Sequence, residues 1–350
     1  MKALTHRTDN IWPKVISDEN IINAFTCARR GRRRTRSVRQ FMKERTKNLL
    51  IIQNDLREGN FHTSPYRFFS RREGPKVRDL AALPFNPDRI AQWAVMLQTR
   101  EHFERRLIDQ TYAALPGRGH HKAHYKLKEY LKDPRVKYCL KVDFHHYFES
   151  IDKDILFGKV KDIFKDPMVL SYYEEVIYSY PKPGIPLGNL TSQILANIYL
   201  SDFDHFFKEQ YHCKWYIRYM DDIIVLGWDK RWLHRVRRKM KLMAKDLKLE
   251  INPSWQVFSV DDRGVDFAGY RTYRTYDLLR TRVKNNMVRK VSLISMKLEN
   301  PAYVWDESDL SVLASYKGIL SHCDSYRLSQ KYLNPVLTSL KVRQINESNI

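Results

Sequence analysis

The stretch WYIRY-MDD-IIVLGW (residues 215–228) constrains the fold more than any other. Two apolar runs of strand length flank a short acidic centre, so the segment reads as a β-hairpin with Asp221 and Asp222 at its apex. A third carboxylate belongs to YCLKVDF at 138–144. There Tyr138, Leu140, Val142 and Phe144 face one way and Cys139, Lys141 and Asp143 the other. This predicts a half-buried strand that carries Asp143 near its end and could lie beside the hairpin. Carboxylates set among apolar strands repel one another and resist desolvation, so something cationic must neutralise them. Lys141 could do so as a buried ion pair, or the two turn aspartates could simply be solvated. The third reading is a hard divalent cation. Mg2+ takes a few carboxylates and fills the rest of its shell with water and substrate phosphates.

Composition narrows the partner. Lys and Arg number 62 against 40 Asp and Glu, a formal net charge of +22. Such an excess is self-repulsive unless a polyanion neutralises it, which makes nucleic acid the leading partner class and an anionic membrane the second. Residues 29–45, RRGRRRTRSVRQFMKER, are the densest basic run. Arg29, Arg30, Arg32, Arg33, Arg34 and Arg36 are candidate RNA contacts, because guanidinium groups fork onto phosphate oxygens. The apolar positions in this run look too sparse for a strong helical face. The alternative is a solvated surface.

Several classes have no support. There is no run of about 18 apolar residues, so no transmembrane helix is expected. The N-terminus lacks an apolar core and a small-residue cleavage site, so no secretory signal is expected. Cys27, Cys139, Cys213 and Cys323 are scattered without a CxxC pair, which argues against a zinc ribbon or disulfide framework and suits a reducing cytoplasm. Neither a GxGxxG nor a Walker-type loop occurs.

Elsewhere, YRFFSRR and KVRDL flank Glu73-Gly74-Pro75 as a hairpin. A helix should follow, capped by Asn86 with Pro87 in its first turn, and with Ile90, Trp93, Ala94 and Leu97 on one apolar face. GIPLG at 184–188 is a turn. NLTSQILANIYLSDFDHFF, 189–207, reads as one helix. Leu233, Val236, Met240, Met243 and Leu247 stripe another helix, and Val283, Met287, Val291, Ile294 and Leu298 a third. Strands are expected at 255–260 and 266–273. The result is an α+β layer architecture, an antiparallel sheet with helices on one face and a separate helical subdomain at the end. His120-His121 reads as part of a phosphate-contacting loop rather than a metal site. Trp93 and Trp215 read as core.

Tyr219-Met220-Asp221-Asp222 resembles the YxDD box of reverse transcriptases. Asp143-Phe144-His145-His146-Tyr147-Phe148 is similar to that family's first metal-binding box, in which Phe148 takes the place of a steric gate against the ribose 2′-hydroxyl. GPKVRDL, with Lys76 and Arg78, resembles the fingers segment that holds the incoming phosphates. YAALPGRGHHKA (112–123) resembles a further fingers motif, and VDFAGY (265–270) the primer-grip turn. These boxes stand in the family's order between roughly residues 60 and 275. The resemblance implies a right-hand polymerase fold: a basic N-terminal extension (1–60), fingers (61–137), palm (138–275, with an insertion around 152–183) and a helical thumb (276–350). It implies RNA-directed DNA synthesis with Asp143, Asp221 and Asp222 as catalytic residues. With the Phe144 carbonyl these would hold two Mg2+ ions, for which Mn2+ could substitute. The backbone N–H groups of His146 and Tyr147 would line the triphosphate of a dNTP, with Lys76, Arg78, Phe148, Leu187, Gly188 and Gln193 also at the nucleotide.

Residues 186–193, PLGNLTSQ, occupy a box that in most prokaryotic members reads QGxxxSP. Leu187 stands for the glutamine and Gln193 for the proline. The pattern LGxxxSQ resembles the hallmark of diversity-generating retroelement reverse transcriptases, and LASYKGILSHCDSYRL (313–328) resembles that group's short thumb segment. From this length, the maturase and endonuclease domains of a full group II intron protein are not expected. The implied activity is copying of a template RNA into cDNA with errors opposite adenine. The implied partners are the RNA/cDNA duplex and a basic, ring-forming accessory variability protein, with no membrane. The alternatives are another prokaryotic reverse transcriptase, retron-like or serving phage defence, and a non-catalytic RNA-binding palm. Trp255-Gln256 stands where many relatives place a lysine, so no general acid for pyrophosphate release is assigned.

Overall fold

A computed structural model describes residues 7–73, 76–300, 303 and 306–340. The chain divides into two compact units, one made of 1–117, 142–223 and 236–255, the other of 118–141, 224–235 and 256–350. Nine strands are described. β1 (Arg67–Glu73) and β2 (Lys76–Ala82) form an antiparallel hairpin with Phe69 opposite Leu80. The turn residues Gly74 and Pro75 lie outside the described residues, as does the side chain of Lys76. β3 (Tyr138–Val142), β4 (Trp215–Tyr219), β5 (Asp222–Gly227) and β6 (Gln256–Ser259) form a sheet in the order β4-β5-β3-β6. β7 (Val265–Phe267), β8 (Tyr270–Thr272) and β9 (Asp277–Leu279) form a third, antiparallel sheet. The mixed architecture with antiparallel pairing is the α+β class expected.

The first unit is built on helix Ile90–Glu104, which buries Ile90, Ala91, Ala94, Val95, Met96 and Phe103. Leu97, expected on the apolar face, is exposed, and Trp93 is only half-buried. Asn86 is not the cap. It has extended φ/ψ inside a π-turn at Phe85–Arg89 that feeds directly into the helix. Tertiary packing overrides the local capping signal here: Phe85 turns inward against Phe41 at 5.5 Å, and Phe41 stacks on Phe25 at 5.2 Å. The basic run is therefore not a bare arm. Helix Arg36–Lys43 buries Val38 and Phe41, a face that proves sufficient because two large apolar residues three apart meet an aromatic pocket. The described part of the N-terminal segment is folded in. Asn20 donates to the carbonyls of Val15 (2.8 Å) and Ala94 (2.9 Å), and Trp12 Nε1 donates to Leu56.

The 189–207 stretch is not one helix. Helix Leu190–Tyr199 gives way at Leu200 to helix Ser201–His205 and a π-turn, Phe206–Gln210. From Ile194 to Tyr199 every residue is buried, the polar Asn197 included. β3 also departs from the half-buried expectation. Cys139 and Leu140, on opposite faces, are both fully buried, because β3 is an interior strand with two neighbours. The helical stripe at 233–247 buries Leu233, Val236 and Met240 completely, while Met243 and Leu247 are half-buried.

In the second unit, helix Thr281–Glu299 turns Met287, Val291, Ile294 and Leu298 inward. They join Leu313, Leu320, Leu333 and Val336, and also Tyr270 of β8 and Leu279 of β9, in one core. The apolar faces of the terminal helices close over the small sheet. The strand expected at 266–273 is two, β7 and β8, which reverse at Ala268 and Gly269, both with positive φ, and β9 lies outside the expected strands. His120 and His121 open helix His120–Leu131 rather than sit in a loop.

Candidate active site

β4 ends at Tyr219, and the chain reverses through Met220 and Asp221 into Asp222, the first residue of β5. Met220 has φ 57, a left-handed conformation. Beneath it lies Arg218, fully buried in an otherwise apolar strand. Its Nη2 is 2.6 Å from Asp204 Oδ2, and its Nε donates to both Asp204 oxygens. Its Nη1 donates to Asn197 Oδ1 (3.0 Å) and to the Met220 carbonyl (2.9 Å). Asp204 also accepts from the Tyr216 hydroxyl at 2.6 Å. Burial opposes the charge on Arg218, but Asp204 outweighs it and holds the guanidinium pKa above its ordinary value.

Asp143 follows β3. The backbone on either side of Phe144 pairs with 250–252: His145 N–H donates to the Glu250 carbonyl (2.8 Å) and Asn252 N–H to the Asp143 carbonyl (2.9 Å). Both bonds are made by residues flanking Phe144, so the carbonyl of Phe144 is not used in this pairing. The Asn252 amide donates to Asp143 Oδ2 at 3.1 Å. Asp221 stands in the field of this carboxylate. Its pKa is raised, first by burial and then by the charge of Asp143, against the opposing pull of its own backbone N–H, Arg78 and Arg218. Asp222 is half-buried. Among the described residues, no group of three or more His, Cys, Asp or Glu side chains is arranged to hold a metal ion by itself. Lys141 is engaged elsewhere, donating to the Asp266 carbonyl at 2.7 Å.

The other expected residues are placed around two loops. His146 has left-handed φ/ψ (43, 46) and opens a short helix, Tyr147–Ser150. The Tyr147 side chain is buried with its hydroxyl on the Ala196 carbonyl (2.5 Å), whereas Phe148 is half-exposed. Gly184, φ +77, lies against the Phe148 carbonyl so closely that a Cβ would come within 2.1 Å of it, and Ile185 N–H donates to the same oxygen. Leu187 accepts from Ala81 N–H of β2 (3.1 Å), and a Cβ on Gly188 would stand 2.8 Å from the Ala81 carbonyl. The Leu187–Gly188 turn is thereby fixed to the strand that carries Arg78. Gln193 is exposed on its helix, and Arg78 is exposed on β2. In the basic run Arg29 is half-buried over Phe25, and Arg30, Arg32, Arg33, Arg34 and Arg36 are exposed.

Residues 72–272 match the reverse transcriptase (RNA-dependent DNA polymerase) family. The chain belongs to the reverse transcriptase family. That membership carries the right-hand polymerase fold and the enzyme class, RNA-directed DNA polymerase. Among curated proteins, this reverse transcriptase is 23% identical over 292 residues to Protein YkfC of Escherichia coli (strain K12), covering 70% of this chain and 75% of that protein. It is 28% identical over 177 residues to the group II intron-encoded protein LtrA of Lactococcus lactis subsp. cremoris, covering 47% of this chain and 28% of LtrA. A solved structure of telomerase from Candida albicans matches with 11% identity and a TM-score of 0.48, over 84% of this chain and 62% of that one.

Three residues of this reverse transcriptase site were not singled out from the sequence: Arg218, Asp204 and Asn252. An arginine in the middle of an apolar strand was the available signal, since such a charge is rarely buried unpaired. Nothing local marks Asp204 as its partner. Among the described residues, no helix is long and apolar enough to cross a membrane.

Proposed function

We propose that this reverse transcriptase copies a template RNA into DNA at the site formed by Asp143, Asp221 and Asp222. The observation that carries this reading is Asp221: a carboxylate placed in a half-buried turn in the field of the negative charge of Asp143. Two carboxylates so placed favour a hard divalent cation. Such an ion needs few protein ligands because substrate phosphates and water complete its shell, so these residues fit Mg2+ without a protein cage. Asp143, Asp221 and Asp222, with the Phe144 carbonyl, would hold two Mg2+ ions, Mn2+ being an alternative. The bound ions would lower the pKa of the primer hydroxyl and neutralise the leaving pyrophosphate. The chain's own work is positional. Asn252 orients the Asp143 carboxylate, Lys76 and Arg78 draw the triphosphate, and the N–H groups of His146 and Tyr147 point donors at it. Phe148 closes the space a 2′-hydroxyl would fill. The N-terminal arginines hold RNA phosphates. In this reading 1–60 is a basic extension, 61–137 the fingers, 138–275 the palm and 276–350 the thumb.

Primer extension on an RNA template with Mg2+ tests it. The double substitution Asp221→Ala and Asp222→Ala should abolish synthesis and keep RNA affinity, and that affinity should fall steeply with salt as counterions are released. Synthesis by the double variant would refute the assignment.

Within the family, the LGxxxSQ pattern of Leu187, Gly188, Ser192 and Gln193 supports the diversity-generating type, working with structured RNA and a basic ring-forming accessory protein. Leu187 offers the nascent pair apolar contact where glutamine would offer a hydrogen bond, worth about 0.5–1.5 kcal/mol. Leu187→Gln should lower misincorporation opposite template adenine, read by sequencing the cDNA; unchanged errors remove this residue from the account. Similarity to the group II intron-encoded LtrA supports the second reading, a prokaryotic reverse transcriptase that makes DNA for another purpose. cDNA free of adenine-biased errors would favour that one.

A further inference from the structure

We propose that Arg218 is a positioning residue of the polymerase site: anchored on Asp204 and Asn197, its guanidinium holds the Met220 carbonyl and so fixes the turn that presents Asp221. The proposal rests on the reading of that turn as the ion-holding site.

A guanidinium has five N–H donors in one plane. Here all five directions are used. Nε and one Nη2 donor go to Asp204, the other Nη2 donor to the Asn197 carbonyl (3.1 Å), and the two Nη1 donors to Asn197 Oδ1 and the Met220 carbonyl. Asp204 and Asn197 belong to the helices beneath the strand. Met220 alone belongs to the turn. An ion pair that served only to cement strand to helices would have no use for it.

The base of this strut is rigid. The Arg218 N–H donates to the Gln110 carbonyl (2.9 Å), and the Arg218 carbonyl accepts from Tyr112 (3.0 Å). Asn197 is itself held, its amide donating to the Ala113 carbonyl at 2.8 Å. The side chain thus reaches forward from a fixed backbone to a residue two positions on. What it meets there needs support. Met220 is in the left-handed region, which a residue with a side chain adopts only when its surroundings enforce it. Lysine keeps the charge but cannot present the planar fork, so it can satisfy Asp204 or Met220 and not both.

The test uses the full chain, with Mn2+ binding followed by electron paramagnetic resonance, Mg2+ dependence of single-turnover primer extension, and thermal unfolding. Arg218→Lys should weaken Mn2+ binding and slow extension at saturating Mg2+ by about tenfold each, the worth of one charge-assisted hydrogen bond, with the KM for dNTP within about twofold of wild type. Asn197→Ala keeps the ion pair and removes the guanidinium's Oδ1 anchor together with the amide's own bond to the Ala113 carbonyl. It should move the same two readouts by about threefold, and it decides alone if the lysine variant does not fold. A folded variant with lowered melting temperature but wild-type Mn2+ affinity and Mg2+ dependence would reduce Arg218 to a structural ion pair and overturn the proposal. Asp221→Asn separates the two claims. If it retains Mn2+ binding and extension, the site assignment itself is wrong and the proposal falls with it.

Discussion

Asn252 bonds Asp143 twice, through its side-chain amide to the carboxylate (3.1 Å) and through its backbone N–H to the carbonyl (2.9 Å). Asn252→Ala keeps the second bond and loses the first, so the carboxylate gains freedom without a change in the pairing around it. A hydrogen bond to a charged acceptor is worth about 1.5–3 kcal/mol. We expect at least about a tenfold lower single-turnover rate of primer extension with little change in melting temperature. Asn252→Asp should be worse than alanine, because it adds a like charge beside Asp143.

Gly184 admits no side chain. A Cβ there would overlap the Phe148 carbonyl and the Glu149 backbone, and the φ of +77 disfavours any other residue. Gly184→Ala should cost at least about 3 kcal/mol of unfolding free energy, measured in urea, because backbone rather than a flexible side chain would have to move.

Phe148 is held from behind by this contact, with Ile185 bonded to the same carbonyl. Shortening its side chain therefore opens space without releasing the backbone. If Phe148 is the steric gate proposed above, Phe148→Ala should raise the kcat/KM for a ribonucleotide relative to its deoxynucleotide by about tenfold or more. Steady-state incorporation of each nucleotide opposite a fixed template base measures this.

In the second unit, His121 lies between His120 (3.8 Å between ring centroids) and His322 (3.7 Å), its Nδ1 sharing a hydrogen bond with the Tyr270 hydroxyl. Burial, then the neighbouring imidazoles of His120, His322 and His124, lower its pKa from 6.5 to about 4. Between those values the unfolded chain binds a proton that the folded chain does not. The stabilisation is therefore complete above pH 6.5 and is lost as pH falls towards 4. Urea midpoints followed across that window should decline for the wild type, and decline less steeply for His121→Gln.

What the sequence made legible is whatever depends on local alternation. The hairpin around Met220, the stripes at 233–240 and 287–298, and the β1–β2 pair all follow from period and turn residues over a dozen positions. What it hid depends on residues brought together from afar. Asn86 has the chemistry of a cap, yet Phe85 beside it is drawn into a cluster with Phe25 and Phe41, and the chain enters the helix another way. Arg218 and Asp204 are 14 positions apart on different elements, and Asn252 reaches Asp143 across 109. Neither pair falls within a stretch of a dozen positions.

The turn at Leu187 and Gly188 meets β2 through main-chain atoms: one N–H to one carbonyl, and one glycine too close to carry a methyl group. None of that depends on what side chain position 187 bears. Position 187 can therefore exchange one side chain for another while the main-chain tie between this turn and β2 stays in place.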